Sequence, residues 1–591
     1  MPRKERALIR MASIRQQAAS VAGLLVLYAG LVVWLTWPLG VHLATHRANT
    51  HPACGFDPLH MAWALAHETH ALTTAPTRLS EANIYFPARR ALFYGDGGFG
   101  ALPYFMPTFL LTGNPTLALN LTFLGCIALT ACALHLVVRI WTGSHLGGFV
   151  AAWTFLMTRW TLWEFVPSAP QYAVLQYIPF IILVAAKPAT SFKQALLLLP
   201  LVVLQSLASL LYLGVAVFAP LTLLALFRLA RSATRRSGLR LLGVLLLALL
   251  VLLPLVAEYG AVRAENPNLS GQTYWRWWHP VTSLPWRLLW GYGAATAVPL
   301  AGIGLIVVGT VSRVVRADSR RPRRPLTAWA HSAFWAVTGV IMSLSPTATW
   351  YGRPLRLPNS VIADWLPIYQ FLRIPDRLGA VGLIGLALLA GVAFAECARL
   401  ANRERPHLLA LVGPAALATL VVVGAYAEYS SAEPGFDREG LPRSYPLALA
   451  ISADSPVVRA LQEPGGPLLE LPVGLSPPLG CLPGPHAKAE YRSIFHWRPL
   501  LNGYSGYWPA GFLERMVLAT RLPDPEALRA LQRETGVEMI LVHVYDLEAL
   551  QAPVWLTLAE HEGSGLRLVA RDGGDLLFEI GDAATTGGRA P

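Results

Sequence analysis

Arginine and lysine crowd into every second connection between the long apolar stretches of this chain, and no other feature constrains its fold as strongly. About eleven stretches are long enough to cross a bilayer. The first, near 20–39, follows a basic N-terminal segment carrying Arg3, Lys4, Arg6, Arg10 and Arg15. The others lie near 114–138, 144–161, 171–186, 192–207, 209–227, 239–257, 295–312, 326–345, 378–398 and 407–425. Connections expected on the inner side hold Arg139, then Lys187 and Lys193, then Arg228, Arg231, Arg235, Arg236 and Arg240. Later ones hold Arg313, Arg316, Arg320, Arg321, Arg323 and Arg324, then Arg399, Arg403 and Arg405. Each lands on the side that alternation requires, which is the positive-inside pattern. The fold class is therefore an α-helical polytopic membrane protein. Residues 1–19 form a cytoplasmic N-terminus and 20–428 the transmembrane domain. The first apolar core is long for a signal peptide and no small-residue cleavage site follows it, so it is expected to be retained.

The chain is 54% hydrophobic and 14% charged, well below the quarter or so expected of soluble domains. Its net charge of +13 would suit a polyanion, but the basic residues sit in short loops beside apolar runs, which explains the charge without nucleic acid. Five cysteines show no CxxC or metal-like spacing. By the topology, only Cys54 and Cys481 face an oxidising side. They are read as two unrelated thiols, with a disulfide between them as the alternative.

After about residue 429 the apolar runs shorten, and 429–591 reads as an extracytoplasmic α/β domain. "PLLELPVG" and "VEMILVHV" read as strands, "DPEALRALQRETG" as a helix closed by glycine, and "LRLVARDGGDLLFEI" as a hairpin. No nucleotide-binding fingerprint, GxSxG, P-loop or HExxH is present.

The first outer loop, 39–113, is the richest segment for chemistry. Asp57 precedes Pro58, which suits a helix start, so "DPLHMAWALAHETHAL" is expected to be helical. Its period places Asp57, His60, Ala64, His67 and Glu68 on one face, as in a helix lying at the membrane surface. "FGALPYFMPTFLL" is too short and proline-broken to cross, and reads as a second interfacial or re-entrant helix. Asp96 sits in "YGDGGFG".

An inward-to-outward span, a long outer loop with an acidic residue and juxtamembrane helices, and a next span closing on a basic inner loop resemble the GT-C superfamily of polyprenyl-phosphate-sugar-dependent membrane glycosyltransferases. "FDPLHMAWALAHETHAL", "ANIYFP", "LTGNPTLALNL", "FLRIPDRLGAVGLIGLALLAG" and "FHWRPLLNGYSGYWP" resemble an uncharacterised bacterial multi-pass group assigned to that fold. The resemblance covers nearly the whole chain. It implies inverting-type transfer of a sugar from a polyprenyl-phosphate donor to a glycan, lipid or protein acceptor, at the outer face of a bacterial plasma membrane. An acidic residue early in the first outer loop would serve as general base, and the matching position is Asp57. A carboxylate suits that task because it can take the proton as the acceptor oxygen attacks the anomeric carbon. Many members carry two adjacent acids there, whereas this chain has Phe56-Asp57. Asp96 or Glu68 would have to supply a second carboxylate. Some members use a divalent cation (Mg or Mn) and others none.

His60 lies three residues beyond Asp57, close enough for both to touch one hydroxyl. His60 and His67 are two turns apart, roughly 10 Å by helix rise, too far to share a metal, and no metal ligands are assigned. The leaving lipid phosphate needs cations, and the arginine fork can hold phosphate bidentately. Candidates are Arg373 and Arg377 in "FLRIPDR" and Arg276 in "YWRWWHP", with Arg89 and Arg90 as further options; Glu258 is expected to pair with Arg263. Trp275, Trp277 and Trp278 are candidate sugar or lipid contacts, although aromatics also populate membrane interfaces with no ligand. "HWRPLLNGYSGYWP" either binds carbohydrate or docks the outer domain on the membrane portion. Two other classes remain: a non-catalytic envelope assembly factor of the same fold, and a transporter or flippase of an amphiphile. Transport needs ionisable groups inside the spans, and these hold almost none away from their ends.

Overall fold

Helices account for most of the described residues among the first 400. The computed structural model describes the chain apart from residues 1–2, 51–55, 164–165, 168, 267–323, 402–417, 431–443, 475–482, 562–564, 582–591 and short pieces between 345 and 374 and between 420 and 429. Among the described residues, five helices are long and apolar enough to cross a membrane: Gln16–Leu35, Pro115–Thr142, Leu210–Leu229, Ser232–Glu265 and Arg377–Glu396.

In chain order the helices used below are α1 (Arg3–Leu35), α2 (Asp57–Thr74), α3 (Leu102–Thr112), α4 (Pro115–Thr142), α5 (His145–Leu156), α6 (Tyr177–Ala185), α7 (Leu198–Ala208), α8 (Val215–Leu229), α9 (Arg235–Glu265), α10 (Arg324–Ser343) and α11 (Ala380–Ala401). A helix lies over every expected span that the described residues include; the one at 295–312 and most of the one at 407–425 fall outside them. Helices α5 and α6 are shorter than expected. The hydroxyls of Thr158 and Thr161 donate to the Phe155 carbonyl at 2.8 and 3.2 Å. Pro167 and Pro170 follow and have no N–H with which to continue a helix. By contrast α4 has both of its signals: Asn114 caps it by accepting from Leu117 N–H, and Gly143 ends it in the left-handed conformation at φ +77°.

Helix α11 is buried along almost its whole length, and glycine makes this possible. A Cβ on Gly385 would lie 2.3 Å from Ala336 N on α10, and one on Gly391 would lie 2.5 Å from Gly147 O on α5. Such backbone-to-backbone approach is how helices associate where lipid removes the hydrophobic drive. On α9, Leu246, Leu249, Leu250, Val251 and Leu253 point away from the described residues, an apolar surface of the kind that lipid covers.

The last 150 or so residues build a four-stranded sheet in the order β5–β6–β8–β7, from strands Leu468–Leu471, Met539–His543, Asp575–Ile580 and Leu566–Asp572. Strands β5 and β6 are parallel, while β6–β8 and the β7–β8 hairpin are antiparallel. Helices α12 (Pro483–Ser493), α13 (Phe512–Thr520) and α14 (Pro525–Thr535) accompany it. Earlier in the chain, β1 (His46–Ala48) precedes a hairpin of β2 (Thr347–Trp350) and β3 (Arg353–Arg356), and β4 (Leu447–Leu449) pairs antiparallel with β1. That pairing returns the chain to the first outer loop.

Helix α2 differs from the surface helix read from its periodicity. Met61 to Ala66 are at most 2% exposed and Glu68 is fully buried. Helices α12, α3 and α4 pack around it, so the side expected to face water faces α12 instead. Helix α3 does keep Leu110 and Leu111 exposed, at 57% and 86%.

Candidate active site

Asp57 occupies the first helical position of α2. The residue before it, Phe56, has no side chain able to cap the helix. The Asp57 carboxylate is turned outward: its Oδ1 accepts the Tyr504 hydroxyl at 2.5 Å. One turn on, His60 Nδ1 lies 2.9 Å from Glu490 Oε2, and the other oxygen of Glu490 accepts the Tyr504 backbone N–H. Burial pushes the His60 imidazole toward its neutral form, but the Glu490, Asp57 and Asp96 carboxylates outweigh it and raise its pKa.

Asp96 enters from the Gly95-Asp96-Gly97-Gly98 turn, whose geometry demands glycine. A Cβ at Gly95 would lie 2.2 Å from Ser505 Oγ, and Gly98 adopts φ +74°. The Tyr259 hydroxyl donates to Gly95 O at 2.9 Å and fixes the turn from α9. Ser209 donates to Asp96 Oδ2, as does Tyr172 at a long 3.5 Å. Ser209 also caps the π-helical turn Leu210–Gly214 that precedes α8, a type of turn common at functional sites. Burial pushes the Asp96 carboxyl up to about 6, against the pull of Ser209 and Arg377.

Arg377 comes from the single 3₁₀ turn Pro375–Gly379 that leads into α11. Its guanidinium lies 5.4 Å from the Tyr172 ring centre and 5.0 Å from that of Tyr212, within cation–π range. Its charge acts on both Asp57 and Asp96. Glu68 is buried nearby, with neither carboxyl oxygen hydrogen-bonded among the described residues. Burial, and the neighbouring Asp96 charge, hold its pKa well above the ordinary carboxylate range.

Asp57 and His60 thus stand one turn apart on α2, His60 faces the Asp96 turn, and Tyr172 meets both Asp96 and Arg377. Arg373, Arg276, Trp275, Trp277 and Trp278 lie outside the described residues, as do Cys54 and Cys481. Arg90 is committed elsewhere: it bonds Glu258 at 3.1 Å and pairs with Glu265, so the carboxylate expected to meet Arg263 meets Arg90. Arg89 lies 4.0 Å from Glu81. His67 donates to or accepts from nothing charged; its Nε2 sits 3.1 Å from Leu79 O, and burial lowers it to about 4. Among the described residues no three His, Cys, Asp or Glu side chains converge as metal ligands. The Asp57, Asp96 and Glu490 carboxylates meet Tyr504, Ser209, Tyr172 and His60.

Glu490, Ser209, Tyr172 and Tyr212 are absent from the sequence-level candidates, because nothing local distinguishes them. Tyr504 belongs to the polar–aromatic run "HWRPLLNGYSGYWP", and the structure shows that run docked. Tyr85 N–H donates to Asn502 O, and Tyr507 N–H to Tyr94 O, both at 3.0 Å.

The arabinofuranosyltransferase AftD from Mycobacteria superposes with a TM-score of 0.55 at 15% identity, over 96% of this chain and 40% of that one. The chain shares the fold of that arabinofuranosyltransferase. A mutant of AftD gives 0.50 at 16% identity, over 94% of this chain and 41% of that one. The chain thus spans about two fifths of the length of AftD. ArnT from Cupriavidus metallidurans, solved with undecaprenyl phosphate, gives 0.46 at 15% identity over 96% and 99% of the two chains, too loose an overlay to bear on the assignment. No protein-family model and no curated protein sequence matches the chain.

Proposed function

We propose that this chain is a glycosyltransferase of the plasma membrane. It moves a pentose or hexose from a polyprenyl-phosphate donor to an acceptor hydroxyl at the outer face, with inversion. The observation that carries this reading is the convergence of Asp57, Asp96 and Arg377. They come from the start of α2, a glycine turn 39 residues later and the head of α11, yet Arg377 acts on both carboxylates. The GT-C fold supports it.

In this reading Asp57 takes the proton of the acceptor hydroxyl as that oxygen bonds to the anomeric carbon. The bond from that carbon to the phosphate oxygen breaks, and its electron pair leaves with the lipid phosphate. Arg377, set over the Tyr172 and Tyr212 rings, faces the negative charge that builds on the phosphate. Asp96 balances the cation when the phosphate is absent.

The test is deletion of the gene, a survey of envelope glycans, and complementation by wild type and by Asp57→Asn at equal membrane abundance. Restoration by wild type alone supports transfer. Restoration by both forms would refute it and leave a non-catalytic assembly role.

A further inference from the structure

Two residues of the C-terminal part reach into the site. Glu490 lies on α12 with no exposed surface, and it spends one carboxylate oxygen across the interface and the other within the C-terminal part. One faces His60 Nδ1 at 2.9 Å and the other accepts the Tyr504 backbone N–H. Tyr504 in turn donates its hydroxyl to Asp57 Oδ1 at 2.5 Å. Its ring meets Phe56 and His60 edge-on, with centroids 5.4 Å away in each case. The approach of this loop is built in: a Cβ on Gly503 would lie 2.4 Å from Cδ1 of Tyr85.

The chemistry of these contacts is directional. A hydroxyl donated to Oδ1 fixes the Asp57 rotamer and leaves Oδ2 to receive a proton. When the Nδ1–H of His60 is donated to Glu490, Nε2 becomes the lone-pair nitrogen. That nitrogen points toward the Asp96 turn, 3.4 Å from where a Gly95 Cβ would stand. A carboxylate that orients an imidazole in this way also stabilises the imidazolium that forms when the ring takes a proton.

We propose that Glu490 and Tyr504 are positioning residues of the transfer site, Tyr504 acting through Asp57 and Glu490 through His60. The site is then incomplete without the segment 490–504. This rests on the transferase reading above. The competing view is that the same contacts only dock the C-terminal part on α2.

The two views separate in full-length protein reconstituted in nanodiscs with the polyprenyl-phosphate pentose or hexose that wild type consumes. Tyr504→Phe keeps the ring contacts and removes only the donor. It should lower kcat about ten- to a hundredfold, with donor KM and thermal stability unchanged. Glu490→Gln removes the charge that favours the imidazolium. Three carboxylates face His60, namely Glu490, Asp57 and Asp96, and one is lost. His60 then releases its proton at lower pH, so the limb of the kcat profile that His60 controls moves to lower pH, and Glu490→Asp returns it. Wild-type kcat in Tyr504→Phe with an unmoved profile in Glu490→Gln, alongside an inactive Asp57→Asn, would overturn this proposal and leave the transferase reading standing. A loss confined to stability or KM would overturn it equally. An Asp57→Asn variant as active as wild type would remove both readings together.

Discussion

Replacing Glu68 by Gln probes the most unusual charge environment near the site. The Glu68 carboxyl is fully buried, neither oxygen has a hydrogen-bond partner among the described residues, and Asp96 lies beside it. An ionised carboxylate in such a place would cost several kcal/mol, so the native protein holds Glu68 protonated to a higher pH than the unfolded chain does. The unfolded chain ionises it near its ordinary value of 4.5. The native state therefore binds one more proton, and the stability that this group contributes is full below that value and declines as pH rises toward its native pKa. The decline is about 1.4 kcal/mol per pH unit. Gln has nearly the same shape and no such dependence. Between pH 5 and pH 7 the stability of Glu68→Gln relative to wild type should rise by about 2–3 kcal/mol. Thermal unfolding of both proteins in one detergent at pH 5, 6 and 7 measures this. Parallel curves, or a Gln variant that loses ground as pH rises, would refute the reasoning and mean that Glu68 is ionised against an unrecognised cation.

Asp96, held at about 6, should impose an acid limb on turnover, with activity falling as pH drops below about 6; Asp96→Asn should remove that limb, read from initial rates between pH 5 and 8. Arg377→Gln should cut kcat about a hundredfold and Arg377→Lys less, since lysine keeps the charge but loses the planar fork; donor turnover by the two variants checks this. Gly385→Ala would set a Cβ 2.3 Å from Ala336 N, where no flexible side chain can yield. It should destabilise by at least about 1–3 kcal/mol and displace the head of α11 that carries Arg377, visible as a lower melting temperature together with lost activity. In the C-terminal sheet, burial pushes the Glu470 carboxyl up, but Arg492 and His543 outweigh it and hold it at about 2. Its contribution is present above 4.5 and is lost as pH falls toward 2, and Arg492→Met should cost about 3–5 kcal/mol by stranding the carboxylate, measured by thermal unfolding at pH 7.

The sequence by itself determined the helical membrane architecture, because apolar length and the side on which arginine falls are properties of the chain in a bilayer rather than of any contact. It located α4 through Asn114, Pro115 and Gly143, and the strands and glycine-closed helix of the last 150 or so residues, since capping and turn chemistry are local. It also put Asp57, His60, Asp96 and Arg377 among the candidates, Asp57 through the family resemblance and the others through their spacing or their chemistry. What it did not contain is their meeting, which spans 320 residues from Asp57 to Arg377 and depends on how closely glycines let α11 approach α10 and α5. Nor could periodicity reveal that α2 is covered on the side that its histidines occupy. That burial is supplied by α12 and by Glu490, more than four hundred residues away in the chain. A side chain whose role is fixed by a distant partner carries no local signal, and only the tertiary structure decides it.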